Sequence, residues 1–137
     1  MKEGRSAGVV IFRENQSHYE FLLLHYPAGH WDFVKGGFEK NESPHQTAVR
    51  ETKEETGISD LEFVNNFDEK IEYFFQHDGK LIHKEVFFFL AKTKTSQVTL
   101  SHEHIDFVWL DFEKAMKKIT YKNAQRVLAK AKDLLSK

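Results

Sequence analysis

Three glutamates, Glu51, Glu54 and Glu55, fall inside a five-residue stretch that begins directly after Arg50. On a helix turning about 100° per residue, Glu54 and Glu55 lie at about −60° and +40° from Glu51, so the three carboxylates share roughly a quarter of the helix surface. Like charges at this spacing cost a helix about 0.2–0.5 kcal/mol per pair, and near its C-terminal end the macrodipole disfavours them further. The cluster therefore calls for a cation. Arg50, four residues before Glu54, and Lys53 could serve, which would leave an ordinary solvated acidic face. A bound metal ion is the other supplier. The chain has no cysteine, so a metal would be held by oxygen or imidazole, and hard cations such as Mg²⁺ suit an all-oxygen set. Such an ion beside a polyphosphate neutralises its oxygens and acidifies water, which is the chemistry of phosphoanhydride cleavage.

The surrounding sequence supplies elements that can position these groups. Ser43-Pro44-His45-Gln46 offers an N-cap serine, a proline at the first helical position and a capping-box glutamine, so a helix is expected from Pro44 to Thr56 with Gly57 as its C-cap. Ala7 to Arg13 and Tyr19 to Tyr26 are apolar runs of strand length separated by the polar turn Glu14-Asn15-Gln16-Ser17, while Gly29 to Glu42 reads as a glycine-punctuated loop. Leu61 to Gln76 and Leu81 to Lys92 are rich in β-branched and aromatic residues and flank Asp78-Gly79, a strong hairpin signal. A short strand is expected at Ile105 to Leu110. Asp111 can cap a brief helix, and Thr120 to Leu135 carries its apolar residues at helical spacing. Strands and helices mix without βαβ alternation, so the expected class is α+β, a mixed sheet between helices, in a single domain spanning residues 1–137.

Gly36, Glu42, Arg50, Glu51, Glu54, Glu55, Gly57 and Ile58 match the Nudix box, G-x5-E-x7-R-E-U-x-E-E-x-G-U with U bulky and apolar. Seven fixed positions agree by chance on the order of 10⁻⁸ per starting point when common residues stand at roughly 7% each. The chain thus resembles the Nudix hydrolases from about Ala7 to its last helix. That resemblance implies Glu51, Glu54, Glu55 and the Gly36 carbonyl as Mg²⁺ ligands, with Mn²⁺ as a substitute, and Arg50 as the group that orients the glutamates. Glu42 would brace the loop. Thr52 stands where the box usually has an aliphatic residue; with Ala48 and Thr56 it falls on the inward side and can pack much as valine would. Outside the box, Glu103 in Ser101-His102-Glu103-His104 is the further acid that the family pattern asks for, as an extra ligand or as the base for the attacking water, a role for which Glu55 competes. His102 and His104 are read as phosphate contacts or surface residues.

Within the superfamily the chain resembles the asymmetric diadenosine tetraphosphate hydrolases, through GVVIFR, EFLLLHY, HWDFVKGG, RETKEETGI, FFFLAK and LSHEHIDFVWL. Those enzymes release ATP and AMP. The resemblance implies local cations for the polyphosphate, for which Lys35, Lys80, Lys84 and His30 are candidates, and aromatic platforms for adenine at Tyr26, Tyr73, Phe88 and Tyr121. Burial is the competing reading for any one of 13 phenylalanines, Phe88 included. Residues 59–76 contain no proline, against the ADP-ribose and NADH branches. Hydrolysis of nucleoside triphosphates or of RNA 5′ ends would use the same metal chemistry and remains an alternative, and a non-catalytic nucleotide-binding module is disfavoured because no box glutamate is missing.

Composition narrows the partners. Twenty basic and 21 acidic residues give a net charge of −1, so no global field exists to grip a nucleic-acid backbone and phosphate must be bound locally. The longest apolar run, Val86 to Ala91, is far short of the roughly 20 residues of a membrane span, and the start MKEGRSAG has no apolar signal core. A soluble, cytoplasmic protein acting on a small nucleotide is expected.

Overall fold

The computed structural model describes residues 2–137, with side chains from residue 4 onward; Met1, which the single-domain expectation includes, lies outside the described residues. Eleven elements follow in the order β1 (Lys2–Asn15), β2 (His18–His25), β3 (Trp31–Asp32), β4 (Val34–Gly37), α1 (Pro44–Thr56), β5 (Glu62–Phe63), β6 (Glu69–His77), β7 (Lys80–Lys92), β8 (Asp106–Leu110), α2 (Phe112–Lys118) and α3 (Lys122–Leu135). β1 is the hinge of the sheet. It runs parallel to β7 along one side, from Lys2 opposite Ile82 to Phe12 opposite Lys92, and on its other side pairs antiparallel with β4 and then with β2. β2 in turn carries β3 and β8, and β7 carries β5 and β6.

The continuous apolar runs arise because the sheet is covered on both faces, so successive side chains on a strand enter different cores. From β1, β2 and β7, Val10, Phe12, Phe21, Leu23, Val86, Phe88 and Leu90 join α2 and α3, through Ala115, Ala124, Leu128 and Ala131. Their neighbours Ala7, Val9, Ile11, Leu22, Leu24 and Ala91 face α1 through Ala48, with Ile58 just beyond its end. The result is the expected mixed sheet between helices. Among the described residues no helix is long and apolar enough to cross a membrane.

Two hairpins have two-residue turns with both central residues at positive φ, Gln16 and Ser17 (49° and 76°) and Asp78 and Gly79 (51° and 74°), the twist that suits a tight antiparallel turn. The first turn is shorter than its polar sequence suggests, because Asn15 pairs with His18 and the strands consume its flanks. Two other expectations are corrected. Leu61 to Gln76 is not one strand: Asn66 at φ 70° turns the chain and Phe67 plugs the core, dividing it into β5 and β6. The glycine-punctuated stretch from Gly29 is not all loop, because Ser6 to Val9 of β1 recruit residues 34–37 as β4. Strand pairing compensates there for weak local propensity.

Candidate active site

The glutamate helix is delimited by its caps. Ser43 accepts from the Gln46 N–H at 3.1 Å while the Gln46 side chain accepts from the Ser43 N–H at 2.9 Å, and Gly57 ends the helix at φ 77° with its N–H donating to Lys53 O. A cap of this kind contributes about 1 kcal/mol. The inward stripe is polar: Thr52 is fully buried between Ala48 and Thr56, and its hydroxyl returns to the Ala48 carbonyl at 2.8 Å, so the hydroxyl is satisfied while the methyl packs.

Arg50 resolves the repulsion that the sequence poses. Its Nε and Nη2 donate to the two Glu42 oxygens at 2.6 and 2.9 Å, Nη2 also to Gly37 O at 2.8 Å, and Nη1 to Glu51 at 2.9 Å and Glu54 at 3.1 Å. Glu39 adds a further ion pair. Glu42, held by Arg50 and by the Glu39 N–H and Thr47 hydroxyl, has its carboxyl drawn down to about 2. It ties the loop to the helix, in keeping with a bracing role. On β4, Gly36 stands so close to the Glu51 carboxylate that a Cβ there would lie 2.0 Å from Glu51 Cδ.

Glu55 points away from Arg50 and is buried. Its Oε1 meets His104 Nε2 at 2.6 Å, and the Glu55 and Thr56 carbonyls accept from the Ser101 and Thr99 N–H groups, which docks the segment before β8 against the end of α1. That docking brings Glu103 to the cluster. Burial, followed by the charges of Glu51, Glu103 and Glu54, pushes the Glu55 carboxyl up to about 8. Glu51 is raised by burial against the pull of Arg50, with Glu54 and Glu103 adding to it, while burial lowers His104. Both members of the Glu55–His104 pair are thus shifted toward their neutral forms. His104 is not a phosphate contact but a buried partner of Glu55, a correction that only the docking of its segment reveals.

The residues suit a hard divalent cation. Glu55 Oε2 is buried and has no hydrogen-bond partner among the described residues, the same is true of His104 Nδ1, and the charges of Glu54 and Glu103 raise the proton affinity of Glu51 and Glu55. Among the described residues no three acidic or imidazole groups already converge on one point, because Arg50 holds Glu51 and Glu54. A cation would have to draw these side chains off the guanidinium.

Lys35, which directly precedes Gly36, lines a cleft of about 650 Å³ whose walls include His30, Asp32, Ile71, Tyr73 and Tyr121. The sequence separates these residues by up to 91 positions; the β6–β7 hairpin and the start of α3 bring Tyr73 and Tyr121 to the first strands. His30 lies 5.4 Å from Tyr121, ring to ring, and half of Tyr121 is open to solvent. Lys84 sits opposite Tyr73 in the β6–β7 register, and its ammonium is lowered by burial and by the charge of Lys35. Tyr26 is not a wall of this cleft. Its ring stacks on His30 (4.7 Å, 2°) and meets His104 edge-on, and its hydroxyl donates to Phe33 O at 2.5 Å. Phe88 is no platform for a base: it is fully buried edge-on against Phe33, because strand alternation turns it into the α3-side core. Sequence reasoning missed Asp32, whose buried carboxylate pairs with Lys35 at 3.1 Å. A lone acid beside an aromatic carries no spacing signal.

A NUDIX domain model matches residues 2–131. The asymmetrical bis(5′-nucleosyl)-tetraphosphatase of Caenorhabditis elegans is 37% identical over 129 residues, 92% of each chain, and that of Mus musculus is 33% identical over 143 aligned positions, 96% of this chain and 95% of the mouse one. Among solved structures, a binary complex of the C. elegans Ap4A hydrolase superposes with a TM-score of 0.82 at 32% identity, covering 97% of this chain and 98% of that one.

Proposed function

Because the chain belongs to the Nudix family, we propose that it is a divalent-cation-dependent hydrolase that cleaves diadenosine tetraphosphate into ATP and AMP. The observation that carries this reading is the adjacency of two sites on β4: Lys35 lines the cleft with Tyr73 and Tyr121 on one face of the strand, and the next residue, Gly36, meets Glu51 on the other. A nucleoside in the cleft then extends its phosphates past β4 to reach the glutamates. The names of the relatives supply the substrate.

The roles follow from position. Tyr73 and Tyr121 hold an adenine between aromatic faces, and the Lys35 and Lys84 ammonium groups take phosphate oxygens. Glu51, Glu54, Glu55 and the Gly36 carbonyl would hold Mg²⁺, or Mn²⁺ in its place; the ion would supply charge neutralisation at the phosphates and a more acidic water. Arg50 fixes the side chains of Glu51 and Glu54 against the Glu42-braced loop. Glu103, exposed and within electrostatic reach of Glu51 and Glu55, accepts the proton of the attacking water. Glu55, tied to His104, is less free for that role.

The test is a panel of diadenosine tetraphosphate, ADP-ribose, NADH, 8-oxo-dGTP and 5′-triphosphate RNA, with products separated after incubation in Mg²⁺. ATP and AMP in equal amounts are expected from the first. Two molecules of ADP would mean symmetric attack and would reject the asymmetric assignment, while preferred turnover of the RNA or of 8-oxo-dGTP would replace the substrate.

A further inference from the structure

Among the described residues Asp32 is the one acid in the wall of the cleft. It is 3% exposed, its Oδ1 accepts from the Phe33 N–H at 2.7 Å, and its Oδ2 stands 3.1 Å from Lys35 Nζ. Lys84, the neighbouring cation, has no acidic partner among the described residues and is half-buried. Lys35, the cation in the wall of the aromatic cleft, is therefore already paired with a carboxylate of the same wall, and Lys84 lies close enough to feel the charge of Lys35. A buried carboxylate is costly unless it is paired, and here its partner is a lysine that a polyphosphate also needs. For affinity alone the acid is counterproductive: it occupies Lys35 and repels every phosphate that approaches it.

We propose that Asp32 is an anion-competing counter-ion, which holds Lys35 when the cleft is empty, yields it to a phosphate group, and reclaims it as the product leaves. The inference rests on reading the cleft as the polyphosphate site. Asp32 acts through Lys35 and so is a positioning residue that limits how tightly the cleft keeps nucleoside polyphosphates. Its charge also keeps Lys35 folded back toward β3 instead of reaching into solvent.

The experiment measures binding without turnover. Dissociation constants for a methylene-bridged ATP analogue and for inorganic tripolyphosphate are measured by calorimetry at fixed ionic strength in the wild type, Asp32→Asn and Asp32→Ser. Both replacements retain an oxygen that can accept from the Phe33 N–H, and retention of the wild-type circular dichroism identifies the folded variants. Neutralising the acid should tighten both anions by about 10-fold, a modest part of what unit charges a few ångströms apart exchange near a protein surface. In steady state the KM for diadenosine tetraphosphate should fall in parallel while kcat does not rise. Unchanged or weaker binding in a folded neutral variant would overturn the proposal, because Asp32 would then only serve to present Lys35, and so would a wild type that binds neither anion. A wild type that binds both anions but leaves diadenosine tetraphosphate intact sinks the substrate assignment alone. One that cleaves it while neither neutral variant binds more tightly sinks this inference alone.

Discussion

Gly36→Ala should abolish most of the activity while sparing the fold, and Gly37→Ala should leave both intact. The two glycines adjoin on β4 and neither has a positive φ, so backbone strain does not distinguish them. Space does. A Cβ at Gly36 falls 2.0 Å from Glu51 Cδ and 2.2 and 2.4 Å from its two oxygens, distances that real atoms do not tolerate, whereas at Gly37 the nearest neighbour is the Arg5 carbonyl at 4.0 Å. The obstacle at Gly36 is the end of a side chain, so the fold survives by moving Glu51 rather than β4. That displacement breaks the 2.9 Å bond from Arg50 to Glu51 and carries the carboxylate from where a cation and the Gly36 carbonyl would meet it. A displacement of about 1 Å in a catalytic constellation costs about 10²-fold in rate. The lost ion pair is partly exposed, so stability should change by less than about 1 kcal/mol, or about 5 °C in Tm for a domain of this size. The assay is kcat for diadenosine tetraphosphate at saturating Mg²⁺, with thermal melts of both variants alongside. If Gly36→Ala retained wild-type kcat, Glu51 would have no part in holding the cation, and the site would have to be rebuilt on Glu54, Glu55 and Glu103.

Chelation should remove activity and Mg²⁺ or Mn²⁺ should restore it, since the proposed donors are all oxygens; full turnover in excess EDTA would exclude this chemistry. Glu54→Gln should lower the rate by about 10²–10⁴, and Glu103→Gln by at least about 10-fold, mainly in kcat, because a proton acceptor acts on the transition state more than on bound substrate. Wild-type kcat in Glu103→Gln would return the base role to Glu55 or Glu51. Asp60 reports on pH. Burial would raise its carboxyl, but bonds from the Thr93 hydroxyl, the Lys94 N–H and the Thr95 hydroxyl outweigh that and hold it below the ordinary value. A depressed acid contributes stability above the unfolded carboxyl pKa and loses it as pH falls through the folded one, so the Tm advantage of wild type over Asp60→Asn should be present at pH 6 and shrink below about pH 4. An advantage independent of pH would assign those bonds no preference for the ionised form.

The helix from Pro44 to Thr56 was legible to the residue, because its signals are local: a capping box at one end, a left-handed glycine at the other, and between them a spacing that places three glutamates on one face. The Asp78-Gly79 hairpin was legible for the same reason. The strand runs were recognisable as core, yet alternation alone could not say which of the two cores a residue enters, and that choice buries Phe88. What the linear sequence leaves open is everything that depends on contact between distant segments. Nothing local in Asp32 marks it as the partner of a cleft lysine, and nothing in Ser101 to His104 shows that His104 turns inward to Glu55 while Glu103 stays out in solvent. Gly36 and Gly37 look alike until the approach of Glu51 separates them. Caps, turns and periodicity are set by neighbours a few residues away and can be read from the chain, whereas the direction in which a side chain points and the charge it meets there are set by strand pairing and helix docking, which exist only once the sheet has formed.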